Sequence, residues 1–153
     1  HPITRDLPEH VTYGWRSTTG PVLAADDPDA HVLGNVVHFM GKCEPGLVVK
    51  QIGSRCSVWS AVPGLPSCLL RAIAREAGVH IWSLADDVLY ANDAWLCVHT
   101  LKPGTRTFHL PRPSAVHDAL SGALVAESCD HFTADLPGRS TTLYYLGPTP
   151  PAP

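Results

Sequence analysis

Residues 57–82, SVWSAVPGLPSCLLRAIAREAGVHIW, predict a strand, a turn and the start of a helix in close succession. Serine, valine and tryptophan at 57–60 favour extended backbone, and the Pro63-Gly64 pair after them is typical of a turn. Pro66 fits the first turn of a helix, where the amide hydrogen that proline lacks has no partner in any case. We therefore expect a strand to end before this turn and a helix to begin near Pro66.

The second half of the stretch has the apolar spacing of an amphipathic helix. Leu69 and Ile73 recur on one side of a helix over 66–77, and arginines fall on the other side. Gly78 suits the left-handed residue that ends many helices, and the apolar residues 79–82 then predict a buried strand. A strand, a helix and a strand in this order are typical of an α/β layer.

The composition favours short strands and many turns. The chain has 153 residues, of which 44% are hydrophobic and 16% charged, as is ordinary for a globular protein. Its 15 prolines and 12 glycines interrupt long helices. We therefore predict an α+β fold that is mainly β, with one main helix at about 66–77.

Two regions of different texture follow one another along the chain. Segments 31–39, 47–52 and 56–60 predict strands that accompany the helix. From residue 86 onward, short apolar runs are broken by turn residues at regular intervals, which is typical of a small antiparallel β-sandwich. Its expected strands are 88–91, 95–100, 105–110, 116–119, 123–126, 132–136 and 141–146.

These regions predict three parts of the chain. We expect an α/β segment over 1–84 and a β-sandwich over 85–147, followed by a disordered Pro-rich tail over 148–153. One helix is too little to cover both faces of the first sheet. We therefore expect that a second copy in a homo-oligomer, or the missing N-terminal part of a longer parent, covers the other face.

The stretch CSVWSAVPGLPSCLLRAIAREAGVHIW resembles the C-terminal region of bacterial proteins related to family-42 β-galactosidases, as do DDVLYAND, HLP, SGALVA and TTLYYLG after it. The resemblance runs from HPITRDLP at 1–8 to Leu146. It implies the end of a trimerisation domain, as a partial α/β layer similar to a class I glutamine amidotransferase, followed by a small β-domain. The matching motifs are structural, since the two catalytic glutamates of that family belong to a barrel domain outside the matching stretch.

The resemblance implies a non-catalytic assembly or accessory module of a glycoside-hydrolase-related protein of carbohydrate metabolism. We accordingly expect that this chain alone is not an enzyme, and no residue stands out as catalytic. The alternative is a small stand-alone hydrolase, metal-assisted or not, that acts on an ester, a lactone or a glycoside through histidines and aspartates.

Charge, hydropathy and cysteine usage exclude several classes. A formal net charge of -3 without a basic run argues against a nucleic-acid surface. No stretch of eighteen apolar residues and no charged, apolar leader is visible, so we expect neither a membrane span nor a signal peptide. The five cysteines lack C-x-x-C spacing, which favours buried, reduced thiols in a cytoplasmic protein.

Four residues are candidate metal ligands. Asp26, Asp27 and Asp29 share one loop whose carboxylates could collect a hard divalent cation such as Ca²⁺, although their spacing matches no EF-hand loop and favours a solvated turn. If His1 were a mature N-terminus, its amine and imidazole could chelate copper together with a second histidine. No HExxH motif and no close His–Cys cluster accompanies these residues, and no other cofactor is predicted.

Cys68 and a set of aromatic residues leave further interpretations open. Cys68 falls in the first turn of the predicted helix. It is either a reactive thiolate, favoured by the helix dipole, or a packed core residue. The aromatic residues could stack against a carbohydrate or fill a core. They are Trp15, Trp59, Trp82, Trp95, Tyr90, Tyr144 and Tyr145. His38, His80 and His99 lie in predicted strands, as core or sheet-face residues.

Overall fold

The computed structural model describes residues 1–14 and 20–149. The chain divides into two compact units, His1–Val79 and His80–Pro153, and each has its own antiparallel sheet. Strands outnumber helices, so the prediction of an α+β fold that is mainly β is confirmed. The predicted boundary between 84 and 85 stays a prediction, and residues 150–153 of the predicted tail lie outside the described residues.

In its described residues, 1–14 and 20–79, the first unit combines three strands with two helices. Its elements are α1 (Pro2–Arg5), β1 (His31–Val37), a 3-10 turn (Phe39–Gly41), β2 (Cys43–Ile52), β3 (Arg55–Ser60) and α2 (Ser67–Glu76). The sheet has the order β1-β2-β3, and both pairs are antiparallel. The central strand is therefore β2, and α2 agrees with the predicted helix to within one residue at each end.

The core of the first unit lies between β2 and the two helices. Leu69 of α2 and Ile3 of α1 are each 1% exposed, and they pack with Leu47 and Val49 of the central strand. Residues two apart on a strand share one sheet face, so both helices cover the same face. After α2 the chain reverses at Gly78, whose φ of +72° is the left-handed conformation that favours glycine.

The second unit is built from five strands. They are β4 (Val88–Ala91), β5 (Trp95–Thr100), β6 (Gly104–Asp118), β7 (Leu124–Leu136) and β8 (Ser140–Leu146), in the order β4-β5-β8-β6-β7. The first half of β6 pairs with β7 alone, whereas its second half lies between β7 and β8. The β6–β7 hairpin therefore packs over the other strands, and the unit is sandwich-like.

Apolar side chains from both layers fill the core of the second unit. Phe108 of β6 and Phe132 of β7 have ring centroids 5.2 Å apart, and Phe132 lies 5.1 Å from Tyr144 of β8. Burial, with the charge of Asp118, holds the pKa of Tyr144 above its ordinary value. The buried residues are Leu96, Val98, Phe108, Leu110, Val116, Phe132, Leu136, Tyr144 and Leu146.

Two strands of this unit are longer than the sequence predicts. The predicted strands 105–110 and 116–119 both belong to β6, and 123–126 and 132–136 both belong to β7. Pro111 and Pro113 predict a strand end, but the register with β7 shifts between His109 and Ser114. The strand therefore passes both prolines at a place where no regular ladder needs their missing amide hydrogens.

Residues 79–82 do not form the predicted strand. One backbone bond, from His109 N to Trp82 O at 2.8 Å, joins this segment to β6. Trp82 packs against the core of the second unit. Four apolar residues are too few to show the alternation that separates a strand from an irregular packed segment, which explains the error.

Two turns of the second unit approach each other closely. Any side chain at Gly138, in the turn after β7, would place its Cβ 2.8 Å from Pro103 Cδ in the turn after β5. Thr100 Oγ1 and Ser140 Oγ both donate to Pro137 O, at 2.6 and 2.7 Å. The two turns are therefore fixed together, and position 138 requires glycine.

Candidate interaction surface

One face of the first sheet has no described helix packed against it. Leu47 and Val49 point towards the helices, so Val48 between them points to the opposite face. Val48 is 6% exposed because it lies between Val32 of β1 and Trp59 of β3, which are 45% and 37% exposed. We call the following residues of this side the open face: Val32, Val48, Lys50, Ile52 and Trp59.

An ion pair gives the open face a polar edge. Lys50 Nζ lies 2.9 and 2.7 Å from the two carboxylate oxygens of Asp27 and 3.7 Å from Asp29 Oδ2. The hydrogen bond from Lys50 lowers the pKa of Asp27, and the bond to Asp27 raises the pKa of Lys50. Both groups therefore stay charged around neutral pH.

This geometry suits packing against another surface. A half-exposed tryptophan surrounded by aliphatic side chains, with charged groups at the edge, has the composition of an interface core and its rim. The sequence predicts a sheet face that lacks helical cover, and the open face is that face. The open face offers apolar surface around Trp59 for burial, and the charged Asp27–Lys50 pair at its edge could fix the orientation of a bound surface.

The first unit also contains a cleft of about 550 Å³. Leu7, His10 and Tyr13 line one side of it, and Leu33 and Val36 of β1 line the other. The Tyr13 hydroxyl lies 3.1 Å from Ser60 Oγ. No carboxylate belongs to the described lining. The cleft can therefore hold an apolar group, but it lacks the pair of facing carboxylates that most glycoside hydrolases use.

The acidic loop holds a lysine in the structure. Asp27 and Asp29 face Lys50, and Asp27 also accepts a hydrogen bond from Asp29 N at 3.0 Å. Asp26 has no hydrogen bond or ion pair to any described residue. The positive charge beside these carboxylates is thus the Lys50 ammonium, where the sequence analysis considers a divalent cation.

His1, the fourth candidate ligand, caps α1. Its Nδ1 accepts a hydrogen bond from Ile3 N at 3.2 Å, and its ring centroid lies 5.4 Å from that of His31. Within residues 1–14 and 20–149, no three or more His, Cys, Asp or Glu side chains are grouped to hold a metal ion. The predicted metal site at Asp26, Asp27, Asp29 or His1 stays a prediction.

The aromatic residues divide among several surroundings. Trp59 lies on the open face, Tyr144 in the second core, and Trp82 against that core. Trp95 and Tyr145 are opposite each other on β5 and β8, with ring centroids 5.2 Å apart and an edge-on angle of 68°. Tyr90 is 72% exposed and Trp15 lies outside the described residues. Seven residues do not form one platform, because Tyr144 and Tyr145 point to opposite faces of β8.

The cysteines are free thiols, and two correct the expectation of burial. Cys43 at the start of β2 and Cys56 on the edge strand β3 are exposed, because sheet margins leave side chains open to solvent. Cys68 lies in the first turn of α2 as predicted and is half-buried, as are Cys97 and Cys129. None of these positions decides between a reactive and a packed role for Cys68.

The sequence interpretation missed a polar ladder on the β6–β7 hairpin. Directly opposite residues pair there as Thr105 with Asp135, Thr107 with Thr133 and His109 with His131. The hydroxyl of Thr105 donates to Asp135, and the two hydroxyls of the second pair lie 3.3 Å apart. The signal was present as T-x-T-x-H over 105–109 and H-x-T-x-D over 131–135, since such alternation marks one strand face.

Two further polar groups of the second unit are withdrawn from solvent. Asp87 bonds the Arg106 guanidinium, whose side chain is 16% exposed, and this partner raises the pKa of Arg106. His117 is 8% exposed, and neither ring nitrogen has a hydrogen-bond partner in the described part of the chain. By contrast, the exposed His80 is bonded to His109 O, and the half-buried His99 is bonded to Thr141 Oγ1.

No family model and no curated protein matches the sequence. None of the described helices has the length and hydropathy needed to span a bilayer. The fold is similar to that of a β-galactosidase from Bacillus circulans sp. alkalophilus, known from its crystal structure, with a TM-score of 0.52 and 20% sequence identity. The likeness covers 78% of this chain and 18% of that chain. The likeness shows a similar fold, and this chain spans under a fifth of the length of that enzyme.

Proposed function

We propose that this chain is a non-catalytic assembly or accessory module of a glycoside-hydrolase-related protein, from the C-terminal part of a family-42-like parent. The observation that carries the proposal is the open face, where Trp59 remains 37% exposed beside the buried Val48. Large aromatic residues in such positions are enriched among residues that dominate the binding energy of interfaces. The likeness to part of a β-galactosidase supports the enzyme class of the parent.

The partner that we propose for the open face is a second copy of this chain in a homo-oligomer. The face carries both an apolar strip and a pair of opposite charges, Asp27 and Lys50, so it has the mixed character of a self-complementary patch. The alternative of a small stand-alone hydrolase has less support, because the described lining of the cleft in the first unit contains no carboxylate. A cytoplasmic location remains a prediction.

Sedimentation velocity of the whole chain, across a wide range of concentration, tests the proposal. We expect an oligomer whose dissociation constant rises about tenfold or more in Trp59→Ser, because the exposed aromatic side chain of the open face is lost. Tyr90→Ser is the matched control, since Tyr90 is a more exposed aromatic residue on a strand of the second unit. It should leave the association unchanged.

Two outcomes would contradict the proposal. A chain that stays monomeric at every concentration would refute assembly through its own copies. Hydrolysis of para-nitrophenyl β-galactoside or of simple aryl esters by the isolated chain, at a rate that survives repeated purification, would establish the hydrolase alternative. We expect no turnover above buffer with either class of substrate.

A further inference from the structure

The polar ladder places two exposed histidines side by side on the second unit. His109 of β6 and His131 of β7 are directly opposite each other, with ring centroids 6.2 Å apart and ring planes inclined by 30°. Both side chains are on the solvent side of the hairpin, since Phe108 and Phe132 next to them point into the core. Directly opposite residues of an antiparallel pair are the closest side-chain neighbours that a sheet provides.

A carboxylate fixes the protonation of one ring. Asp130 Oδ1 lies 2.7 Å from His131 Nδ1, and a carboxylate only accepts, so Nδ1–H is the donor. The neutral His131 ring then carries its lone pair on Nε2. A histidine that donates its second nitrogen to a carboxylate is the usual arrangement of a metal-binding imidazole.

The backbone at His109 is also hydrogen-bonded on the edge of β6 that faces away from β7. His109 N donates to Trp82 O at 2.8 Å, and His80 Nε2 donates to His109 O at 2.8 Å. The strand at His109 is therefore bonded to β7 on one edge and to the segment before β4 on the other. Only the imidazole of His109 is left to rotate.

We propose that His109 and His131 together bind a transition-metal ion of the imidazole-preferring class, Cu²⁺ or Zn²⁺, with water in the remaining positions. Two imidazoles bound to one ion at roughly 2.0–2.1 Å have centroids about 5 Å apart, so the rings need to close by about 1 Å. Rotation of two exposed side chains supplies that movement. The site lies outside the open face and goes beyond the proposed function.

The other histidine pair of the chain shows why this pair is the better ligand. His1 and His31 are closer, at 5.4 Å, but His1 Nδ1 accepts a hydrogen bond from Ile3 N. A neutral ring that accepts at Nδ1 carries its hydrogen on Nε2, so it has no free lone pair for a metal. His131 has the opposite tautomer and keeps Nε2 available.

Titration of the whole chain with Cu²⁺, followed by calorimetry, tests the site. Cu²⁺ is the probe because it heads the affinity order of the divalent ions for nitrogen ligands. We expect His109→Asn and His131→Asn each to weaken binding by about tenfold or more, and Asp130→Ala by up to about tenfold, through loss of the oriented tautomer. His31→Asn, a matched exposed strand histidine, should leave this binding event unchanged.

A measurement on the unaltered protein guards against variants that fold poorly. Substoichiometric Cu²⁺ is paramagnetic and should broaden the amide resonances of residues 107–110 and 130–133 in an NMR spectrum before others. Broadening confined to the surroundings of His1 and His31 would overturn the proposal. So would calorimetric curves for His109→Asn and His131→Asn that match the unaltered chain while both variants keep its melting temperature.

Discussion

The two units differ in how completely they enclose their apolar side chains. The first buries Ile3, Leu47, Val49 and Leu69 against one face of a three-stranded sheet. The second buries nine residues between two layers formed by its own five strands. A sheet with helices on one face leaves its other face uncovered, whereas the two layers of a sandwich bury their inner faces against each other. The second unit therefore encloses its core with its own strands, whereas one face of the first sheet has no described helix packed against it.

Truncation of one central side chain in each core should test this contrast with the largest effect. Phe108→Ala in the second unit should lower the free energy of unfolding by about 3–5 kcal/mol, because the residue is 1% exposed and contacts Phe132 and Tyr144. Leu69→Ala in the first unit should lower it by about 2–3 kcal/mol, at the lower end for leucine, because a one-sided core relaxes more easily. Urea unfolding followed by circular dichroism measures both values.

Phe108→Leu is the control for this pair, since it keeps most of the volume and should cost about 1–2 kcal/mol. A smaller loss for Phe108→Ala than for Leu69→Ala would reverse the comparison. It would mean that the first unit carries the more tightly packed core.

His117 is a buried polar residue of the second unit, and His117→Leu should stabilise the fold. Among the residues that the structure describes, neither ring nitrogen of His117 has a hydrogen-bond partner, and the side chain is 8% exposed, so its polarity costs free energy in the folded state. The leucine variant should raise the free energy of unfolding by about 1 kcal/mol. Thermal and urea unfolding at neutral pH give the value.

The matched control is His99→Leu on the same sheet face. His99 is half-buried and its Nδ1 lies 2.9 Å from Thr141 Oγ1, so the leucine variant removes a hydrogen-bonded imidazole and should gain no stability. Equal stabilisation by the two leucine variants would show that general hydrophobicity, and not the unpartnered imidazole, explains the effect.

The smallest effect concerns the polar edge of the open face. The pKa of Asp27 is lowered by Lys50, so the pair stabilises the folded state above the ordinary aspartate pKa of 3.8. That contribution is lost as the pH falls below 3.8, through the lowered folded-state pKa. Asp27→Asn should therefore lower the melting temperature slightly at neutral pH, and the difference from the unaltered chain should shrink towards pH 3.

Asp26→Asn is the control on the same loop, and it should change the melting temperature at neither pH. A difference for Asp27→Asn that persists unchanged at pH 3 would contradict the ionic origin of the effect.

Local sequence signals predicted the elements that depend on local physics. The helix over 66–77 was found because Pro66, the apolar spacing and Gly78 all point to the same boundaries, and the structure places it at Ser67–Glu76. The hairpin strands were cut short because Pro111 and Pro113 are ordinarily strand breakers. Only the shifted register with β7 makes these prolines acceptable, and register is a property of two strands together.

The candidate sites show the same limit. The sequence predicts a sheet face without cover, because the number of helices can be counted along the chain. It cannot show that Trp59 rather than Trp82 lies on that face, since this depends on which strands pair. The His109–His131 pair was missed because residue 131 falls just outside the predicted strand 132–136. An error of one residue in the predicted strand boundary was thus enough to miss two histidines that are neighbours across the hairpin.

The tight contact between Gly138 and Pro103 determines where a chemical label can be attached to the second unit. A dye or an affinity group at that end would separate two turns that share the carbonyl of Pro137. The opposite end of the hairpin carries Leu120, which is 84% exposed, in a turn where a Cβ at Gly122 meets no atom within 4 Å. Leu120→Cys, in a chain whose exposed Cys43 and Cys56 are changed to serine, is thus the attachment point for fluorescent or surface-immobilised work on the second unit.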